Sequence, residues 1–280
     1  KSTGGGIAHP VARSGPRCEA IAQAREVASL LGIPFYVLDT QDIFKKRIVD
    51  SFVQSYKLGL TPNPCFDCNR WIRWGTLLEF ALENGYEFMT TGHYARLTKD
   101  ESGVTHLLKG VDETKDQSYV LSGLVQSQFA HTILPLGEWR KTQVREFARS
   151  KKLPVAEKHD SQDLCFVGRS GYRDFVKRYS SISFPPGEIL DGKGKNLGRH
   201  DGLENYTIGQ RKGLGGGNAQ PLYVIQKDVM KNQLIVGTRS ELGRSSFEVH
   251  QLHCLSETLK PGLDYEVKIR YRSTPIACNV

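Results

Sequence analysis

The sequence lacks most of the features that would place it in a membrane or an oxidising compartment. Its 280 residues hold no apolar run near the roughly 18 to 20 residues needed to cross a bilayer. Its first residues lack the charged start, apolar centre and small-residue cleavage pattern of a secretory leader. Six cysteines, at 18, 65, 68, 165, 254 and 278, are too few and too unevenly spaced for a disulfide framework in a chain this long. Acidic residues are in deficit, 30 Asp and Glu against 38 Lys and Arg, which gives a net charge of +8 and a pI near 9.1. A polyanionic partner is expected, with nucleic acid first. With 39% hydrophobic and 9% aromatic residues the composition is that of an ordinary folded chain, long enough for two or three domains. A cytoplasmic or organelle-matrix enzyme with no membrane association is the expectation.

What is present centres on Thr61 to Asn69, T-P-N-P-C-F-D-C-N, which sets Cys65 and Cys68 three residues apart behind two prolines. Pro62 and Pro64 fix their own φ and push the preceding residues out of the helical region, so an extended loop is predicted up to Asn69. Trp71, Ile72, Leu77, Leu78, Phe80 and Ala81 then recur at helical spacing, placing both thiols at a helix N-terminus, where the helix dipole favours thiolate. Half of a structural zinc site is the competing reading of a C-x-x-C pair.

Residues 1 to 17 read as a loop; the Gly4-Gly5-Gly6 run has neither the preceding strand nor the following Lys-Ser or Lys-Thr of a phosphate loop. A helix is predicted over Glu19 to Leu31 with Gly32 as its stop. Ile33 to Asp39 reads as a buried parallel strand with Asp39 at its carboxyl edge, followed by a helix capped by Asp42 and closed by Gly59. A second strand, Phe88 to Thr91, runs into Gly92-His93. Alternating strands and helices predict a parallel α/β sheet with ligands at the strands' carboxyl ends. Leu107 to Lys109 is a short strand, Lys115-Asp116-Gln117 opens a helix through Leu124, and Lys141 to Lys152 is an amphipathic helix. His159 to Asp163 is a polar turn that passes into a short strand carrying Cys165.

After a helix over Tyr172 to Tyr179 the texture turns to glycine, proline and short β-prone runs, so a boundary is placed near 169. A strand and Asp-Gly turn are expected over Gly187 to Gly194, a strand from Tyr206 leading into the basic glycine loop Arg211 to Gly217, and a hairpin from Leu222–Ile225 and Gln233–Gly237. From Tyr265 to Arg272, Val267, Ile269 and Tyr271 alternate with Lys268, Arg270 and Arg272, predicting a strand with one face of three cations suited to phosphate.

The motifs N-P-C-F-D-C-N (63 to 69), T-T-G-H-Y-A-R (90 to 96), K-D-Q-S-Y (115 to 119), D-S-Q-D-L-C-F (160 to 166), Y-T-I-G-Q-R-K-G-L (206 to 214) and R-Y-R (270 to 272) resemble, in order, those of the tRNA-specific 2-thiouridylases. The resemblance implies an α/β parallel-sheet ATP-pyrophosphatase-like domain (1–168), a small central mixed α/β domain (169–243) and a partial C-terminal β-barrel (244–280). It implies ATP-dependent replacement of the C2 oxygen of a wobble uridine by sulfur. On the same resemblance Cys68 is the nucleophile and Cys165 carries the incoming sulfur as a persulfide. Gly92 contacts ATP, held with Mg. Asn63, Pro64 and Cys65 lie beside the target base, and His93, Lys115, Asp116, Gln117, Arg270 and Tyr271 face tRNA. The implied partners are tRNA and a persulfide-donating protein, a cysteine desulfurase or sulfur relay, acting on a monomer.

Two departures from the family pattern stand out. The S-G-G-x-D-S pyrophosphatase loop is not found before the first helix, and the chain stops a few residues past the R-Y-R strand, so a chain truncated at both ends is expected, with a tRNA-binding fragment without turnover as the alternative. Many members carry Asp where Cys65 stands, and Cys65, Cys68 and Cys165 together offer a three-cysteine ligand set for a [4Fe-4S] cluster. A dithiol oxidoreductase is the third alternative.

Overall fold

The computed structural model describes residues 16–157, 164–168, 170–179, 183–214, 220–271 and 273–280. The Gly4–Gly6 run, His159 to Asp163, the glycines at 215–217 and Arg272 lie outside the described residues. The chain divides into two compact units that do not follow chain order: Lys1–Ile43, Phe66–Asp160 and His253–Val280 in one, Phe44–Cys65 and Ser161–Leu252 in the other. Ten strands lie among the described residues: β1 (Met89–Thr90), β2 (Ala95–Lys99), β3 (Thr105–Lys109), β4 (Thr132–Ile133), β5 (Gly187–Asp191), β6 (Asn196–His200), β7 (Tyr223–Asp228), β8 (Gln233–Gly237), β9 (Asp264–Val267) and β10 (Ile276–Asn279).

In the first unit a helix over Pro16–Leu30 ends where Gly32 takes φ 65°, and Ile33 N–H returns to the Ala28 carbonyl at 3.0 Å. Only a residue without Cβ reaches that left-handed conformation at no steric cost. The next segment corrects the prediction. Ile33 to Asp39 is extended but joins no sheet, and Ile33 and Tyr36 are 55% and 60% exposed. An apolar run becomes a buried strand only when neighbours take up its backbone groups, and no described strand does so here. Asp39, not Asp42, closes the entry to the following helix, its carboxylate accepting the Gln41 N–H at 3.0 Å.

Parallel pairing is realised between β1 and β4, Met89 opposite Thr132 and Thr90 opposite Ile133. The antiparallel pair β2 and β3 lies beside it in sequence. The core of this unit is Trp74, Leu78, Met89, Ala95, Leu121, Leu124 and Phe129. Trp74, 1% exposed, ties the cysteine-bearing helix to β4: its indole N–H donates to Thr132 Oγ1 at 2.6 Å, and Gln128 Nε2 donates to its carbonyl at 2.9 Å. The helix predicted from Lys115 through Leu124 is instead a run of turns around a single 3-10 turn, Ser118–Val120. At the C-terminal end β9 and β10 form one antiparallel pair. The strand predicted to reach Arg272 ends at Val267; Lys268 to Tyr271 enter a turn in which Ser273 N–H bonds the Arg270 carbonyl at 3.0 Å. Ile269 is 54% exposed, so the predicted apolar face is not formed.

The second unit holds a four-stranded sheet in the order β6-β5-β8-β7, with β5 and β8 parallel and the two outer pairings antiparallel. Ile189, Leu203, Tyr206, Val224, Leu234 and Val236 fill its core. The predicted strand at Tyr206 is a turn over Thr207–Gln210, fastened to β7 by Gly209 N–H to the Val224 carbonyl at 2.8 Å. A separate cluster packs Phe52, Val53 and Tyr56 from one helix against Val176 of the helix Gly171–Tyr179 and against Val167.

Candidate active site

The helix that carries the thiols starts earlier than predicted. Pro64–Cys68 is already α-helical, and the helix continues through Asn69–Leu77 and Leu78–Glu83. Proline fits the first helical position, where its missing N–H would have had no partner and its φ is already helical. Cys65 therefore lies in the first turn and Cys68, the fifth helical residue, opens the second, Cys65 exposed and Cys68 half-buried. Asn69 is buried and donates to the Val120 carbonyl at 3.0 Å, which fixes the rotation of this turn. Asn69–Leu77 has π spacing, in which each N–H bonds the fifth residue back, so Arg73 stands one wide turn beyond Cys68.

Cys165 lies in the other unit, exposed on a turn, not on the predicted strand. The turn closes by Val167 N–H to the Leu164 carbonyl at 3.1 Å. Its neighbour Phe166 anchors it, meeting the rings of Phe44, Phe52 and Phe175 edge-on at 5.7, 5.3 and 5.3 Å. Asn63, Pro64 and Cys65 belong to the same unit as Cys165, with Asn63 half-buried and Pro64 buried, whereas Cys68 belongs to the first.

Gly92 and His93 follow β1 directly, at its carboxyl end. Gly92 is exposed, and a Cβ there would meet only Leu136, at an ordinary 3.6 Å. His93 is 4% exposed, with its ring 5.5 Å from that of Trp74. Its Nε2 lies 3.2 Å from Arg73 Nη1 and its Nδ1 2.8 Å from Thr91 Oγ1. A guanidinium only donates, so Nε2 is the acceptor and Nδ1–H donates to Thr91. Burial, reinforced by the Arg73 charge, lowers the His93 pKa to about 4 and keeps the ring neutral.

Asp116 is buried, and its carboxylate staples the Gly110–Ser118 loop, accepting from Gly110 N–H at 3.0 Å, Ser118 N–H at 3.2 Å and Ser118 Oγ at 2.9 Å. Gln117 forms a reciprocal pair with Tyr94, donating its N–H to the Tyr94 carbonyl at 2.9 Å and accepting the Tyr94 N–H at 3.1 Å. Lys115 is half-buried between Thr114 and Asp116. Gly110 is needed for close approach, since a Cβ there would sit 2.7 Å from the Tyr94 carbonyl oxygen. Arg270 and Tyr271 are exposed on the turn after β9, with Lys268 Nζ 5.7 Å above the Tyr271 ring.

Among the described residues no three His, Cys, Asp or Glu side chains gather as a metal-ligand set, so the iron–sulfur ligand set expected from Cys65, Cys68 and Cys165 has no support here. Among the same residues no helix is long and apolar enough to cross a membrane. Sequence reasoning missed Arg73 and Thr91, whose partner His93 is twenty residues from the former, and missed Glu204. That carboxylate is fully buried with neither oxygen hydrogen-bonded, and Lys177 Nζ lies 3.8 Å from Oε1. Burial raises its pKa, and burial lowers that of Lys227, which donates to the Tyr206 carbonyl at 3.0 Å, to about 8.

Family models divide the chain into two parts. Residues 9–169 match the tRNA methyl transferase HUP domain and residues 173–238 the tRNA methyl transferase PRC-barrel domain. The fold is thus an ATP-pyrophosphatase-like HUP domain followed by a PRC-barrel domain. Among curated relatives, the tRNA-specific 2-thiouridylase MnmA of Chloroflexus aurantiacus is 42% identical over 264 residues, which is 94% of this chain and 73% of the relative. The same-named proteins of Moorella thermoacetica and Geotalea uraniireducens are 44% and 43% identical, covering 92% and 93% of this chain and 73% and 69% of those relatives. The chain belongs to the tRNA-specific 2-thiouridylase family.

Proposed function

We propose that this chain exchanges the C2 oxygen of a wobble uridine in tRNA for sulfur, with Cys68 as nucleophile and Cys165 as sulfur carrier. The observation that supports this most is how the two thiols are held. One is the fifth residue of a helix moored in the core and the other is on a turn pinned by an aromatic cluster. Both are partly or fully accessible, as transfer between a donor protein and a nucleic acid requires.

A uridine C2 is a poor electrophile with a poor leaving group, and ATP with Mg supplies the activation of that oxygen when bound. Gly92 fits a nucleotide contact, being exposed backbone at the carboxyl end of a parallel strand. A donor protein, a cysteine desulfurase or sulfur relay, loads Cys165 as Cys–S–SH. The outer sulfur attacks C2, the C2–O bond breaks and the activated oxygen departs with AMP, and the Cys68 thiolate then attacks Cys165 Sγ and breaks the S–S bond, leaving the transferred sulfur on C2. Alternatively, Cys68 attacks first and frees hydrosulfide, which attacks C2. Either way the two thiols lose two electrons to the transferred sulfur and end as a Cys68–Cys165 disulfide, which an external thiol reduces. That bond requires Cα atoms within about 4.4 to 6.8 Å. Asn63, Pro64 and Cys65 are assigned to the target base, and Lys115, Asp116, Gln117, Arg270 and Tyr271 to tRNA, with Asp116 acting through the loop it staples.

The test is incubation of the chain with tRNA, ATP, Mg and a persulfide donor, followed by nucleoside mass spectrometry. Sulfur-for-oxygen exchange abolished in both Cys68→Ser and Cys165→Ser supports the reading. Methyl addition would favour the wording of the family models, and tRNA binding with no product would favour a binding role without turnover.

A further inference from the structure

His93 is assigned to tRNA by resemblance, yet it is buried with both ring nitrogens occupied. A buried ring cannot itself touch a polyanion. What it does touch is Arg73, which is exposed. Arginines fixed at a protein surface are usually held by a carboxylate, which cancels their charge. None of the ion pairs among the described residues involves Arg73. Here a neutral acceptor does the orienting, so the guanidinium is directed while keeping its full charge and its remaining N–H donors. The directing chain is complete: Thr91 Oγ1 accepts Nδ1–H, which fixes the tautomer and leaves the Nε2 lone pair for Arg73 Nη1. Trp74, packed on the imidazole and bonded to Thr132, prevents the ring from turning.

We infer that Arg73 binds a phosphate group of the substrate, one wide helical turn from Cys68, and that His93 and Thr91 are positioning residues acting through it. The inference rests on the proposed reading of Cys68 and of tRNA as substrate. A phosphate is the fitting ligand because an oriented guanidinium offers it two parallel donors. The phosphate belongs either to the tRNA backbone or to the nucleotide, and the two sources separate by experiment.

The test measures tRNA binding by filter retention across salt concentration, and ATP binding by equilibrium dialysis, for the full chain and for Arg73→Ala, Arg73→Lys, His93→Leu and Thr91→Val. For a tRNA phosphate, Arg73→Ala weakens tRNA binding about tenfold, as expected for a lost charge-assisted hydrogen bond. It also lowers the salt slope by about 1, with ATP binding unchanged. Loss of ATP affinity alone assigns the nucleotide phosphate instead. Arg73→Lys, with charge but no planar fork, falls between. Thr91→Val, the mildest change to the buried side, reproduces part of the Arg73→Ala loss and adds nothing to it in the double variant. Unchanged tRNA and ATP affinities in folded Arg73→Ala would overturn the inference. Failure of the unaltered chain to bind tRNA at all would instead overturn the reading it rests on.

Discussion

Replacing Phe166 by Ala should weaken the second unit and slow sulfur transfer while sparing tRNA recognition. The ring makes three edge-on contacts, with Phe44, Phe52 and Phe175, at 5.3 to 5.7 Å, and is half-buried. Aromatic pairs contribute about 0.5 to 1.5 kcal/mol each beyond area burial. Partial burial of the ring adds about 1 kcal/mol, so a total loss of about 2.5 to 5.5 kcal/mol is expected. Urea unfolding followed by circular dichroism measures it as a lower midpoint with little change in slope. The functional consequence comes from adjacency, because Cys165 sits on the turn that the ring anchors. Single-turnover thiolation by Phe166→Ala should therefore fall well below that of Phe166→Leu, which keeps an apolar anchor, at equal tRNA affinity. An unchanged midpoint together with an unchanged transfer rate would refute the reasoning, since it would mean that the aromatic cluster neither stabilises this unit nor holds the sulfur-bearing turn.

His93 gives a pH prediction with a defined sign. Its pKa is lowered from 6.5 to about 4 in the fold, so below pH 6.5 the unfolded chain binds the proton more readily and stability falls as pH drops towards 4. Between pH 7 and pH 5 the loss is about 2 kcal/mol. The difference between urea midpoints at the two pH values should shrink in His93→Gln. Asp116→Ala should cost about 1 to 3 kcal/mol by leaving the Gly110 N–H without its acceptor. It should also reduce tRNA affinity through Lys115 and Gln117, whereas Asp116→Asn, which keeps an acceptor oxygen, should lose less in both assays. Glu204 works in the opposite sense to a paired carboxylate. Burial raises its pKa, so its ionisation opposes folding, and stability contributed at this site declines as pH rises above 4.5. Chemical unfolding of Glu204→Gln from pH 5 to 8 should lack that decline.

Local signals were legible and non-local ones were not. Gly32 as a helix stop, the Asp191-Gly192 turn and the β7 and β8 hairpin are each encoded by a few adjacent residues, and each is present. Ile33 to Asp39 has the composition of a buried strand, but strand formation depends on neighbours that composition does not report, and the segment lies exposed. The prolines at 62 and 64 were both read as breakers, whereas Pro64 is a helix start; the two roles differ only in the residues downstream of each ring. The alternation from Tyr265 to Arg272 promised a cationic face, yet Ser273 draws the chain into a turn at Arg270. The resemblance places His93 and Asp116 facing substrate, and what the sequence does not reveal is that both side chains are buried, His93 against Arg73 and Thr91 and Asp116 against Gly110 and Ser118. Arg73 was silent because a lone arginine on a helix gives no sign that a neutral histidine directs it.

The wide turns of Asn69–Leu77 carry one further consequence. A π segment holds more residues per turn than an α-helix, so its length, not only its composition, sets the angle between the thiol end of the helix and the tryptophan that moors it. Each residue of an α-helix advances about 100°. Loss of a single residue from Asn69 to Arg73 would leave Trp74 seated in its core and swing Cys68 about a quarter turn away. The number of residues in this stretch is therefore as constrained as their identity.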